Sequence, residues 1–221
     1  MFSGFPSPDG PLGILGGTFD PVHFGHLRLA EEALDVLGLD QVLWIPAGRP
    51  PHRGQPQASP DDRLTMVRRA LDGQPRFVLD EHEVTCTAPS YTVMTLERLR
   101  AGPLAKRPLV LLLGADAFAG LTSWHRWREL LELAHIGVAS RQGVDATMLP
   151  DELSELLGQR QAPAVALARQ PAGRIVQFPM TPLGISASGI RALLRAGRSA
   201  RYLLPELVLD YIARHRLYPT D

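Results

Sequence analysis

The chain has 221 residues, 45% hydrophobic and 21% charged, and its 23 basic and 23 acidic side chains cancel to a formal net charge of +0. That length suits one well-buried domain, and the charge balance excludes a bulk electrostatic pull toward nucleic acid or an anionic membrane. A single cysteine, Cys86, rules out an internal disulfide and offers no metal cluster, as expected of a cytoplasmic protein. Residues 1–10 lack the basic start and apolar core of a signal peptide and are expected to be a flexible lead-in, with residues 11–221 forming a single domain. The apolar run Leu12–Leu15 predicts a first strand, followed by a glycine- and histidine-bearing loop. A helix is predicted over Leu27–Leu37, closed by Gly38, a residue suited to a left-handed helix end. Gln41–Pro46 predicts a second strand, ending in the loop Ala47–Arg53, and Asp61–Leu71 a helix with an acidic first turn. Arg76–Leu79 predicts a third strand, Val93–Arg100 a helix, and Leu109–Leu113 a fourth strand that ends in Gly114, Ala115 and Asp116. That fourth run is the longest apolar one and is far too short to cross a bilayer.

The second half is less regular. Trp124–Leu133 predicts a helix and Ala134–Ala139 a strand. From Arg141 to Gly173 no β periodicity is visible, which predicts a surface insertion with a short helix over Pro150–Leu157. An edge strand over Arg174–Phe178 and two closing helices, Ser188–Ala196 and Pro205–Arg214, complete the pattern. Buried strands alternating with helices predict an α/β fold: a Rossmann-like, doubly wound parallel sheet with helices on both faces and a small C-terminal helical part. Ligands of such sheets bind beyond the carboxyl ends of the strands. The loops at Gly16, Ala47, Gly114 and Arg141 are therefore expected to converge on one crevice.

Two segments carry chemistry. In Gly16-Gly17-Thr18-Phe19-Asp20-Pro21-Val22-His23-Phe24-Gly25-His26 a strand breaks into glycines, a proline turn and two histidines, then enters a helix. Bare backbone N–H groups, a positive helix end and two imidazoles around one point suit a phosphate. Gly16, Gly17 and Gly25 are expected to let the ligand approach the backbone. The pattern is neither a Walker A loop nor G-x-G-x-x-G. A zinc site would need more ligands than two histidines, and a plain βα turn explains the glycines but neither histidine. In Gly184-Ile185-Ser186-Ala187-Ser188-Gly189-Ile190-Arg191, Ser186 or Ser188 can cap a helix, and Arg191, about one turn in, can return its fork to the same anion. An ordinary serine cap beside a solvated arginine is the plain alternative.

The first segment resembles the T/HxGH signature of the nucleotidyltransferase superfamily. Together, GGTFDPVHFGH and ISASGIR resemble the nicotinate-nucleotide adenylyltransferase family, whose second motif is usually ISSTxIR. Pro50-Pro51-His52-Arg53, Ser90-Tyr91-Thr92-Val93-Met94-Thr95 and Gly114-Ala115-Asp116 followed by Trp124 are similar to further family motifs, collinear from Leu12 to the C-terminus. Ala187 replaces a usual serine and Arg53 a usual lysine. The resemblance implies transfer of AMP from ATP to nicotinate mononucleotide, with release of pyrophosphate and Mg²⁺ bridging the phosphates. It implies catalysis by His23, His26 and Arg191, and ATP binding by these three with Gly16, Gly17, Thr18, Phe19, Gly114, Asp116, Arg141, Ile185, Ser186 and Ser188. It assigns the acceptor to His52, Arg53, Thr92, Trp124 and His125. Three alternatives stay open: preference for the amide mononucleotide, another small adenylyltransferase of the same fold, and a nucleotide sensor without turnover. A homo-oligomer is compatible with all of them.

Overall fold

Six apolar runs become six strands: the four inner ones are largely buried on both faces, and the two at the sheet edges are partly exposed. In the computed structural model, which describes residues 10–51, 55–140 and 149–220, these are β1 (Leu12–Gly17), β2 (Gln41–Pro46), β3 (Phe77–Leu79), β4 (Leu109–Gly114), β5 (His135–Ser140) and β6 (Ile175–Pro179). They pair in the order β3-β2-β1-β4-β5-β6, every pair parallel. This is the doubly wound order whose direction of winding reverses between β1 and β4, the point beyond whose strand ends sheets of this kind bind ligands. The described helices are α1 (Phe24–Val36), α2 (Pro60–Ala70), α3 (His82–Thr85), α4 (Thr92–Arg100), α5 (Ala115–Ala119), α6 (Leu130–Leu133), α7 (Asp151–Arg160), α8 (Ala187–Arg195) and α9 (Glu206–His215).

The period of two along each strand divides the interior. Leu15, Val42, Trp44, Val110 and Leu112 face a core shared with α1, α2, α8 and α9. Leu12, Ile14, Leu43, Leu109 and Leu111 face a second core shared with α4, α5, α6 and α7. The expected α/β sheet covered on both faces is thus observed, and Gly38 closes α1 at φ 63° as its position predicts.

Three expectations need correction. The stretch Trp124–Leu133 is not one helix: Leu121–Ser123 and Trp127–Glu129 are 3₁₀ turns and only Leu130–Leu133 is α-helical. Arg126 between them is left-handed at φ 52°, its guanidinium held by Glu97 and Glu129, so the chain turns where a helix would have run straight. Residues 149–173 are not a surface insertion either. Helix α7 is the crossover from β5 to β6, and it buries Leu153 and Leu157 against the sheet, each worth about 1.5–3 kcal/mol. Finally, Gly10 belongs to the folded body: its N–H donates to Asp40 Oδ2 at 2.8 Å and its carbonyl accepts from Arg107 Nε at 3.0 Å. No described helix is long and apolar enough to cross a membrane.

Candidate active site

Helix α1 starts at Phe24, three residues earlier than the pattern suggests, with His23 as its extended N-cap. This start stacks the two imidazoles, their centroids 3.7 Å apart. The His23 N–H donates to His26 Nδ1 at 3.2 Å, which leaves the neutral His26 ring its proton on Nε2. Phe19 braces His26 edge-on at 5.1 Å and rests on Trp44 at 5.4 Å. Phe19 as a whole is 2% exposed, and its ring belongs to the core. The glycines also divide by role. Beside Gly16 nothing lies where a Cβ would stand, as a ligand-facing position requires. At Gly17 a Cβ would strike the Phe19 ring at 2.9 Å, and at Gly25 it would press on the His23 ring at 3.0 Å. Those two are small to seat neighbouring rings.

Burial dominates the electrostatics of His23. Desolvation pushes its pKa down to about 4, so the ring is neutral near pH 7 and acts as a hydrogen-bonding group. Its Nδ1 is buried with no hydrogen-bond partner among the described residues. The ring turns back over the first turn of α1, toward Gly25 and the backbone of His26.

Helix α8 brings the second N-terminus to the same place. Ser186 is its N-cap, accepting from the Gly189 N–H at 3.1 Å, while Ser188 lies 3.2 Å away, oxygen to oxygen, on the exposed side. The Ile185 carbonyl lies 3.7 Å from the Cβ position of Gly25, so the starts of α1 and α8 meet. Arg191 points back to the β1 loop, Nη1 donating to the Asp20 carbonyl at 2.7 Å, with Nε buried and unpartnered among the described residues. Asp20 is a structural hub. Its carboxylate accepts from the N–H groups of Gln57 and Ala58 at 2.9 and 3.1 Å and from the Tyr218 hydroxyl at 2.6 Å. Burial and this carboxylate both push the Tyr218 phenol pKa up.

Two further contributors carry no cue in the sequence. Tyr218 ties the C-terminal segment to Asp20. Arg63 on α2, fully buried, donates from Nη1 to the carbonyls of Thr18 (2.7 Å) and Ala47 (2.6 Å) and from Nη2 to Gly48 (3.1 Å). An arginine on an amphipathic helix ordinarily signals a solvated face, so nothing in the pattern separates Arg63 from Arg68 and Arg69 of the same helix.

Around the crevice, Gly114 caps α5 at the end of β4 and presents the exposed Asp116 in the first turn. Thr92 opens α4, and the ring of the preceding Tyr91 packs at a tilt against His125, centroids 4.3 Å apart. That contact joins the Ser90–Thr92 segment to Trp124 and His125, two stretches that the expected acceptor pocket requires to meet. Trp124 is half-buried against the second core, in a turn rather than on a helix. The β2 loop is pinned to the same segment: the Arg49 N–H donates to Ser90 Oγ at 3.1 Å and the Ser90 N–H to the Arg49 carbonyl at 3.0 Å. His52, Arg53 and Arg141 lie outside the described residues.

Comparison with known proteins agrees with this geometry. Residues 14–193 match the cytidylyltransferase-like family model. A protein of Dechloromonas aromatica (strain RCB) named "Probable nicotinate-nucleotide adenylyltransferase" is 60% identical over 213 residues, covering 94% of this chain and 97% of the relative. One of the same name from Pseudomonas putida (strain W619) is 49% identical over 207 residues, with 94% of each chain covered. Among solved structures, the nicotinic acid mononucleotide adenylyltransferase of Plasmodium falciparum complexed with NaAD superposes with a TM-score of 0.74 at 14% identity, covering 96% of this chain and 98% of the other. At that identity the superposition speaks for the fold alone.

Proposed function

Because the chain belongs to the nicotinate-nucleotide adenylyltransferase family, we propose that it transfers AMP from ATP to nicotinate mononucleotide, forming nicotinate adenine dinucleotide and pyrophosphate in pyridine nucleotide biosynthesis. The observation that carries this reading is the meeting of two helix N-termini beside two stacked imidazoles and one arginine. An oxygen of the mononucleotide phosphate attacks the α-phosphorus in line, and the bond from that phosphorus to the bridging oxygen of the leaving pyrophosphate breaks. Protein catalysis is then positioning plus charge stabilisation. Neutral His23 and the Nε2–H of His26 donate toward the α-phosphate. The start of α8, with Ser186, Ser188 and Arg191, holds the β- and γ-phosphates, where charge accumulates as the leaving group departs. Thr18 and the backbone of Gly16, Gly17 and Phe19 complete the phosphate wall. Gly114, Asp116, Ile185 and Arg141 take the adenosine, Asp116 accepting from ribose hydroxyls. Thr92, Trp124 and His125 take the nicotinate ring and carboxylate, and His52 and Arg53 the acceptor phosphate.

Among the described residues no group of three or more His, Cys, Asp or Glu side chains converges as a metal cage. Phosphate oxygens of the substrate fit Mg²⁺ as its ligands, and the ion supplies neutralisation of phosphate charge when bound. The free thiol of Cys86 suits a reducing cytoplasm.

Pyrophosphate release with ATP and Mg²⁺, measured with nicotinate mononucleotide and separately with its amide, tests the reading. Strong preference for the acid is expected, because a pocket built from donors rejects a ligand without the carboxylate. Preference for the amide overturns the acceptor assignment, and no release with either overturns the reaction.

A further inference from the structure

The β1 and β2 loops form two walls of the proposed phosphate site, and Arg63 holds them in register from beneath. Among the described residues its guanidinium makes three hydrogen bonds, all to carbonyls of these loops: Thr18 after β1, and Ala47 and Gly48 after β2. Among the described residues it makes no ion pair, and the Asp20 carboxylate acts on it through space. A buried cation that spends its donors on backbone carbonyls fixes peptide planes. In a trans peptide the N–H points opposite to the C=O. With the Thr18 carbonyl drawn down onto Arg63 at 2.7 Å, the N–H of Phe19 is directed away from the guanidinium. That N–H has no acceptor among the described residues. Phe19 is left-handed at φ 51°, a conformation few residues other than glycine adopt, and it keeps its place between His26 and Trp44.

We infer that Arg63 is a positioning residue for the reaction. By fixing the Thr18, Ala47 and Gly48 carbonyls it joins the two loops into one wall and turns the Phe19 N–H onto a substrate phosphate. This role rests on the nucleotide reading of the site. Arg63 touches no substrate and acts through the backbone it orients. Lysine cannot replace it, because one ammonium does not span three carbonyls with a planar fork.

A clamp that served stability alone would predict the same structure, so the test must separate the two roles. Arg63→Lys and Arg63→Gln are compared with Met66→Ala, which removes a fully buried core side chain one turn along the same helix. All are assayed well below their melting temperatures. Expected is a kcat/KM for ATP at least fivefold lower in both Arg63 variants than in Met66→Ala, which stays within twofold of wild type. A smaller gap, or an equal loss in Met66→Ala, overturns the inference. A second measurement needs neither folded variants nor turnover. In ¹⁵N-phenylalanine-labelled wild type, ATP with Mg²⁺, or the mononucleotide alone, is expected to shift the Phe19 amide resonance. An unmoved Phe19 amide with both nucleotides bound removes the route through which Arg63 acts. Wild-type protein that shifts this amide yet releases no pyrophosphate contradicts the proposed reaction and leaves the positioning role supported.

Discussion

Two buried histidines sit at opposite edges of the same sheet and show how differently it treats its ends. His135 opens β5 at the amino edge, fully buried, with both ring nitrogens engaged: Nε2 donates to the Gln170 carbonyl at 2.8 Å and Nδ1 accepts from the Arg174 N–H at 3.0 Å. His23 follows β1 at the carboxyl edge, 6% exposed, and its Nδ1 has no partner among the described residues. Burial lowers the pKa of both. Burial and pKa therefore do not separate a structural imidazole from a functional one. The accounting of hydrogen-bond partners differs between them: at the amino edge both ring nitrogens are engaged inside the fold, and at the carboxyl edge the Nδ1 of His23 makes no full hydrogen bond among the described residues.

Substitutions that respect this division sharpen it, and any that cross it break it. His26→Ala has the largest expected effect, a fall in kcat of about 10²–10⁴ with ATP affinity nearly unchanged, read by steady-state rates beside calorimetry. Affinity falling as far as kcat would make the imidazole a binding group only. His135→Ala is expected to act the other way. It strands a buried N–H and a carbonyl and leaves a cavity, costing about 2–5 kcal/mol in denaturant unfolding, with kcat of the folded enzyme intact. Next in size is a dependence on pH. An unfolded histidine near 6.5 binds a proton that folded His23, at about 4, refuses, so the unfolded state holds more protons between those values and stability is lost as pH falls through that window. The contribution of His23 is about 3 kcal/mol at most. His23→Asn is expected to flatten the decline in melting temperature between pH 6.5 and 4, and an unchanged slope would assign the decline to other groups. Gly25→Ala has the smallest expected effect. Its Cβ displaces the His23 ring by a few tenths of an ångström, so kcat falls about threefold to tenfold. Stability holds or rises by up to about 1 kcal/mol, because alanine favours the helix. Activity unchanged in that variant would show that His23 needs no exact placement.

The carboxyl edge is also the more legible half of the molecule. Strands β1, β2 and β4 are visible as apolar runs, and the glycine–histidine loop and the ISASGIR segment announce the proposed phosphate site because their residue types serve few other purposes. What stays hidden depends on contacts distant in sequence. Arg63 and Tyr218 reach Asp20 and its loop only once α2 and the C-terminal segment pack against β1. The left-handed turn at Arg126 has neither glycine nor proline to signal it and rests on Glu97, 29 positions away. Helix α7 reads as part of an insertion because its polar face outnumbers the two leucines it buries. Gly17 and Gly25 are half legible for a related reason: a glycine in a motif shows that space is needed, and only the fold shows which ring lies beside it.

The most direct test of the proposed chemistry uses ATP chiral at the α-phosphorus, with sulfur in place of one non-bridging oxygen, and follows the configuration of the dinucleotide product. A single in-line displacement, assembled by positioning between two helix N-termini and two imidazoles, inverts that centre. Retention of configuration would require a second displacement through a covalent enzyme intermediate, and would contradict the positioning role of every residue in the site.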